Sequence, residues 1–506
     1  MVFVRTAKTE VISTFLVENF QKNVTNDPNE KLFLARKALQ KLIAWKEAPR
    51  RSALCVVGAR QIGKTTLIRH FARQYYEHFV EINFATEPLA KAVFSGSLNA
   101  EAVITALSAY ARRPLVPGET LIFLDEIQEC PQARADIKFL VADGRFDYIE
   151  SGFLLGAETK NGPSLPVGYE TRLTMYPLDF AEFCTACGLQ SVTFEYLKTC
   201  FETLQPVAES VHDSMLRLFY TYMVVGGMPQ CVSTYLATHD IGQVLAVQND
   251  ILDRYRQDIT RSGGRDMEKV LKTFEAIPFQ LATKNRRFML SEIAKTTRLL
   301  RYENAFALLA DAGVAMPCYN VTRPTTPLAS NEKRNLFKLF LCDTGLLAAA
   351  SLQNIQFDIL QGNVGVNQGS ILENMFAQQL HANGFALRYF QAKSLGEADF
   401  LIQDGKTIVP IAIRAGKNYK KHTPLTNVLA VNKWDLKQAI VFCRGNIEKG
   451  NAVTYLPWYM VPFVVPHAAV SGAMPVVDLS ALQQEKKSSY RLAQVSGLFE
   501  ESAKPR

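Results

Sequence analysis

The sequence predicts an α/β fold, a parallel sheet wrapped by helices on both faces, on three observations. First, an apolar run, ALCVV (Ala53 to Val57), leads through GARQIGKTT into a helical-looking run, Thr66 to Tyr76. Second, FVEINFA (79–85), TLIFLDEIQ (120–128) and FDYIESGF (146–153) are short apolar or alternating runs separated by helix-length stretches. Strands that alternate with helices argue for parallel pairing with both faces covered. Third, TLIFLDE ends in two acids, and the C-terminal edge of such a sheet is where ligands bind.

The loop after the first strand fits a phosphate. Gly58 and Gly63 allow the backbone to curl its amide N–H groups inward around an anion, with Ala59, Arg60, Gln61 and Ile62 between them. Lys64 can then reach the β/γ-phosphates and the Thr65 hydroxyl can ligate Mg²⁺, while Thr66 opens a helix whose N-terminal dipole favours the same charge. The match to GxxxxGK(S/T) is complete, and the strand–loop–helix setting predicts a P-loop NTPase.

Turnover needs a metal-holding acid and a group that activates water. Leu121 to Leu124 bury the third strand and place Asp125 at its end, where its carboxylate can join Thr65 in holding Mg²⁺. Glu126 is the candidate to polarise the attacking water. Ser151, at the end of the next strand, is expected either to bond the water or γ-phosphate or simply to form a turn. An arginine from a neighbouring subunit often completes such sites; Arg172 and Arg60 are candidates, with a salt bridge as the competing fate of each.

Composition bounds the rest. At 506 residues the chain has room for about three domains. Its 48 % hydrophobic and 21 % charged residues are those of a globular protein, and a net charge of +8 permits nucleic-acid contact without requiring it. Nine scattered cysteines form no paired framework, so a reducing compartment is expected. Cys184 and Cys187 make a lone CxxC that lacks the other two ligands of a zinc site. MVFVRTAKTEVISTFLVENF has no signal-peptide core and no run of ~18 apolar residues occurs, so a cytoplasmic protein without membrane contact is expected.

Further along, 31–47 has helical periodicity, and 189–275 reads as amphipathic helices broken at VVGGMPQ (224–230). Short helices lie around FMLSEIAKTTRLLRYENAFALLADAGV, followed by a strand-like LFKLFLCD. From Gly369 a helix gives way to the strands ALRYFQAK, ADFLIQ, IVPIAIRA and AIVFC.

GARQIGKTT, LDEIQECP, MYPLDFAEF, VVGGMPQCV, FKLFLCDTGLL and EADFLI, in this order, resemble a bacterial and archaeal group of AAA-type ATP-binding proteins with a C-terminal domain of unknown function. The similarity covers roughly 31 to 460 and implies ATP and Mg²⁺ as ligands, with Lys64, Thr65, Asp125 and Glu126 as the catalytic set. It implies an N-terminal extension (1–30), an AAA-type core (31–188), a helical region (189–275), a winged-helix-like segment (276–345), an α/β restriction-endonuclease-like domain (346–465) and a tail (466–506).

Nucleases of that fold place an acid on a helix, an Asp on a strand and Glu-x-Lys on the next strand, so that carboxylates converge on a metal. Glu373 and Asp399 stand in the first two places, but Ala412 replaces the Glu and Arg414 the Lys. Lys417 has no acid beside it to restore the set. An inactive scaffold is expected.

Two basic clusters, Lys284, Arg286, Arg287, Lys295, Arg298 and Arg301, then Arg414, Lys417, Lys420 and Lys421, could face DNA phosphates or be ordinary solvated faces. The expected function is a homo-oligomeric Mg²⁺-dependent ATPase that drives a DNA- or protein-binding C-terminal region. The alternative is a nucleotide-switched assembly module without significant turnover, and an active nuclease comes third.

Overall fold

The computed structural model describes residues 33–49, 51–95, 99–153, 168–262, 266–283, 286–293, 302–351, 355–363 and 369–467. The extension 1–30, the tail beyond 467, and Lys284, Lys295, Arg298 and Arg301 lie outside the described residues.

The N-terminal strands are β1 (Ala53–Val57), β2 (His78–Asn83), β3 (Thr120–Asp125), β4 (Asp147–Gly152) and β5 (Glu170–Thr174), all parallel, in the order β2-β3-β4-β1-β5. β1, β3 and β4 are buried at every position, as strands with both faces covered must be. Four helices supply the cover: α1 (Ala38–Glu47), α2 (Lys64–Tyr75), α3 (Ala100–Ala111) and α4 (Pro131–Asp143). Leu121 and Phe123 pack with Leu39, Leu67 and Phe71, whereas Ile122 and Leu124 pack with Leu107, Ile137 and Leu140. The period-2 alternation of β3 thus builds a core on each side of the sheet.

Two local expectations shift. Of the helix expected over 31–47, residues 31 and 32 lie outside the described residues, and among 33–47 it covers Ala38–Glu47, with Arg36 drawn off to donate to the carbonyls of Ile62 (2.8 Å) and Tyr176 (2.5 Å). β5 was not expected; ETRLT is polar because an edge strand leaves Thr171, Arg172 and Thr174 exposed.

Helices follow: α5 (Phe180–Ala186), α6 (Ser191–Thr203), α7 (Glu209–Val225), α8 (Pro229–Thr238), α9 (Ile241–Ser262), α10 (Met267–Ala282) and α11 (Glu303–Asp311). Asp179 and Glu182 close a capping box on α5. The break in VVGGMPQ separates α7 from α8, and Pro229 opens α8 where its missing N–H costs nothing. α10 runs across 275, where a boundary was expected.

The C-terminal strands form two mixed sheets. β6 (Ala315–Val321), β7 (Glu332–Leu341), β8 (Arg388–Ala392) and β9 (Gly396–Ala398) take the order β7-β6-β8-β9. β10 (Phe400–Asp404), β11 (Thr407–Ile413), β12 (Ala439–Cys443), β13 (Glu448–Lys449) and β14 (Val453–Pro457) take the order β10-β11-β12-β14-β13. Between them run α12 (Thr344–Ala350), α13 (Ile355–Leu360), α14 (Gly369–Ala382) and α15 (Thr423–Leu429). β6 pairs with β8 in parallel, Tyr319 opposite Arg388, so one sheet spans the position 345 where two regions were expected to divide. ADFLIQ, read as one strand, is split at Asp399, whose carboxylate accepts the Ile413 N–H at 2.7 Å.

Three of the sequence blocks meet at one buried point. Gly227 N–H donates to Asp343 (2.6 Å), Leu178 N–H donates to the Gly227 carbonyl (2.7 Å), and Tyr222 donates to the Leu178 carbonyl (2.6 Å). Burial pushes the Asp343 carboxyl up to about 6, although the amides of Gly227 and Leu346 that donate to it resist the shift. All nine cysteines are free thiols. Among the described residues no helix is long and apolar enough to cross a membrane.

Candidate nucleotide site

The phosphate loop leaves β1 at Gly58, whose φ of +146° belongs to glycine. A Cβ there would lie 2.3 Å from the Met175 carbonyl oxygen and 2.7 Å from Ile62 Cδ1. Gln61 (φ +63°) and Gly63 (φ +90°) also take left-handed conformations, the alternation that curls amides into an anion-binding nest. Gly63 is the N-cap of α2, which therefore begins at Lys64, two residues earlier than its apolar pattern indicates. Ala59 and Ile62 are buried and brace the loop from below, while Thr66 is exposed.

Lys64 folds back on its own loop, donating to the carbonyls of Gly58 (2.9 Å) and Ala59 (2.8 Å). Burial lowers its pKa to about 8, against the pull of Glu126 and Asp125 and with a small further push from Arg60. Thr65 Oγ1 donates to Asp125 Oδ2 at 2.9 Å. The two residues expected to hold a metal are thus already in contact.

Asp125 is held from two other strands. Asn83, opposite it on β2, donates at 3.0 Å to Oδ2, and Ser151 on β4 donates its hydroxyl to Oδ1. Because β4 is inserted between β1 and β3, Ser151 lies between the loop and the acid. Its buried hydroxyl donates to Asp125. Sequence reading missed Asn83; its one signal is its position at the end of the strand that precedes β3.

Glu126 adopts φ +53°, uncommon for a residue with a side chain and the kind of strain found at functional turns. Its carboxylate accepts from Gln128 at 2.5 Å and faces Arg60 at 3.6 Å. Arg60 also pairs with Asp258 on α9 at 2.9 Å, and Tyr255 of the same helix donates to the Arg60 carbonyl at 3.0 Å. The turn between α11 and β6 closes on the loop as well: a Cβ on Gly313 would stand 3.1 Å from the Ala59 nitrogen. A salt bridge was one of the two fates expected for Arg60, but its partner Asp258 and the contacts of Tyr255 and Gly313 had no sequence signal. Arg172 lies exposed in the middle of edge strand β5, opposite Cys55, away from the strand ends.

Beside Gly63 and Thr66 opens a cleft of about 810 Å³ walled by Phe33, Arg36 and Pro229. Phe33 stacks on His70 of α2, with ring centroids 3.6 Å apart.

The nuclease-like positions are also brought together. Glu373 and Asp399 converge with Glu397, which sequence reading did not single out, while Ala412 is buried in a small apolar cluster. Arg414 pairs with Asp399 at 3.1 Å, and Lys417 is exposed. Of the basic clusters, Arg286 turns inward to Glu373, Arg287 donates to Gln391 at 2.8 Å, and Lys420 pairs with Glu448 at 2.8 Å.

A parallel sheet in this order, with a glycine-lysine-threonine loop after β1 and an acid at the end of β3, defines an AAA-type P-loop fold followed by mixed-sheet regions. Residues 50–184 match the family described as AAA domain, 216–356 a domain of unknown function (DUF8612), and 368–460 a second one (DUF4143). The chain therefore carries an AAA domain, as the sequence blocks implied, and behind it two domains of unknown function where those blocks implied one.

No curated protein matches the sequence significantly. Solved structures with some likeness include the Aeropyrum pernix Orc1 protein in complex with DNA (13 % identity, 64 % of this chain and 94 % of that one, TM-score 0.25). A Thermotoga maritima RuvB variant has 16 % identity over 59 % of this chain and 91 % of its own, with TM-score 0.28. Cdc6p from Pyrobaculum aerophilum has 12 % identity over 67 % and 98 %, with TM-score 0.24. Likenesses this low carry no weight of their own.

Proposed function

We propose that this chain binds ATP with Mg²⁺ at the phosphate loop, hydrolyses it, and passes the nucleotide state to its C-terminal half. The observation that carries the reading is the 2.9 Å contact between Thr65 Oγ1 and Asp125 Oδ2. A hydroxyl and a carboxylate so placed are a donor set that suits Mg²⁺, which accepts such oxygens at ~2.1 Å and keeps water for its other positions. Bound Mg²⁺ supplies charge neutralisation on the β- and γ-phosphate oxygens.

The protein's own groups do the rest. Lys64 exchanges the Gly58 and Ala59 carbonyls for phosphate oxygens. Asn83 and Ser151 fix the orientation of Asp125. Glu126 takes a proton from the attacking water. The nucleoside lies in the cleft beside Thr66, against Phe33 and Pro229.

Coupling follows from what touches the loop. Arg60 ties Glu126 to Asp258 on α9, so a γ-phosphate that draws Arg60 inward also pulls on that helix. The C-terminal half then binds DNA or protein, and the chain works in the cytoplasm as a homo-oligomer. One observation favours a second reading, a slow nucleotide switch: Glu126 is already engaged by Arg60 and Gln128 and must be released before it can act as a base.

The test is a pair of variants assayed for nucleotide binding and phosphate release. Lys64→Ala is expected to abolish binding. Glu126→Gln is expected to bind as tightly as wild type and turn over about 10²-fold more slowly or worse. Glu126→Gln turnover equal to that of wild type would refute the hydrolytic assignment; wild-type turnover at background with tight retention would leave the switch.

A further inference from the structure

Glu373 on α14, Glu397 on β9 and Asp399 just beyond it present oxygens within 4.8 Å of one another. A divalent cation could ask for such a set, and the nuclease resemblance implies one at Glu373 and Asp399. The groups around these carboxylates do not fit it.

Lys338 enters from β7, with Nζ 2.6 Å from Glu373 Oε1 and 2.6 Å from Glu397 Oε1. Those separations fall at the upper end of the Ca²⁺–oxygen range of ~2.3–2.6 Å, so the ammonium stands where an ion would stand. The Tyr389 ring covers it, its centroid 4.8 Å from Nζ. Arg286 pairs with the second oxygen of Glu373. Arg414 holds Asp399, whose Oδ2 also takes the Ile413 N–H.

Charge balance argues the same way. Three carboxylates face three cations, and Lys338 and Glu373 are each only 1 % exposed. An added divalent ion would leave this buried cluster with uncompensated positive charge, at a cost of several kcal/mol by general estimates of ion desolvation. It would also have to displace an amine fixed by its own strand.

We infer that Lys338 is a tethered replacement for a metal ion: the carboxylate cluster is a closed ionic clamp, and it accepts a divalent cation only when that amine is removed. The clamp has a structural consequence. Lys338 and Arg286 lie within the 216–356 match and Glu373 and Glu397 within the 368–460 match, so ion pairs tie the two stretches together, with Asp399 held beside them by Arg414. The inference is independent of what the phosphate loop binds.

Mn²⁺ binding to the nucleotide-free full chain, followed by electron paramagnetic resonance of the free ion, tests it. Wild type and Glu397→Gln are expected to bind the same number of ions. Lys338→Met is expected to gain one Mn²⁺ per chain, which Lys338→Met/Glu397→Gln loses again. A wild-type ion that disappears in Glu397→Gln would overturn the inference, as would a folded Lys338→Met that gains none. Should Lys338→Met not fold without metal, because Glu373 is left partly unpaired in the interior, the comparison of wild type with Glu397→Gln still decides.

Discussion

Raising the pH should weaken nucleotide binding in a window set by Lys64. In the free protein burial brings this ammonium from 10.5 down to about 8, so near pH 8 about half the molecules carry a neutral amine at the loop. A triphosphate restores the charge, because an anion within contact favours the protonated form. Between pH 8 and 10.5 the bound state therefore holds more protons than the free state, and affinity must fall as pH rises. If only the charged form binds, affinity drops about twofold by pH 8 and about tenfold by pH 9; full restoration to 10.5 is worth about 3 kcal/mol. Isothermal titration with ATP and Mg²⁺ at pH 7, 8 and 9, in two buffers of different ionisation enthalpy, reads both the affinity and the proton uptake. Constant affinity across that range, with heats independent of buffer, would refute the reasoning.

Two further outcomes follow from burial and backbone geometry. Gly58→Ala forces a side chain into φ +146° and to within 2.3 Å of the Met175 oxygen; it should lose nucleotide binding and about 1–3 kcal/mol or more of stability, read by calorimetric titration and denaturant melts. Glu150, fully buried on β4 with neither oxygen hydrogen-bonded, is pushed up to about 8 by burial and by Glu170, against the pull of Arg134. Its folded pKa is raised, so its contribution is intact below the ordinary value of 4.5 and is lost as pH climbs through 8, by up to about 5 kcal/mol. Glu150→Gln should flatten that decline in guanidinium midpoints measured from pH 5 to 9, and an unchanged slope would sink the assignment.

Much of the N-terminal site was legible because its chemistry is local. Gly58 to Thr66 are contiguous, and the four apolar residues before Asp125 announce both a buried strand and where it ends. Elements that escaped did so for identifiable reasons. β5 carries an edge strand's polar face, and β6 contains Pro317, which reads as a break yet is tolerated within the strand. The nuclease-like departure at Ala412 and Arg414 was visible, but Lys338 was not, since nothing in FKLFLCD marks that lysine as buried.

By itself the sequence determined that a phosphate loop follows a buried strand, that an acid pair closes another, and that a mixed α/β region comes behind. Spacing along the chain fixes such features because a strand, a tight loop and a helix start are decided within a few residues of one another. Only the tertiary structure decided which strands are neighbours, and hence that Ser151 and Asn83 hold Asp125. It alone joined Arg60 to Asp258 across 198 positions, and Lys338 to two carboxylates on other elements. Ion pairs and sheet order are set by which buried surfaces fit together, and that choice is made over the whole chain at once.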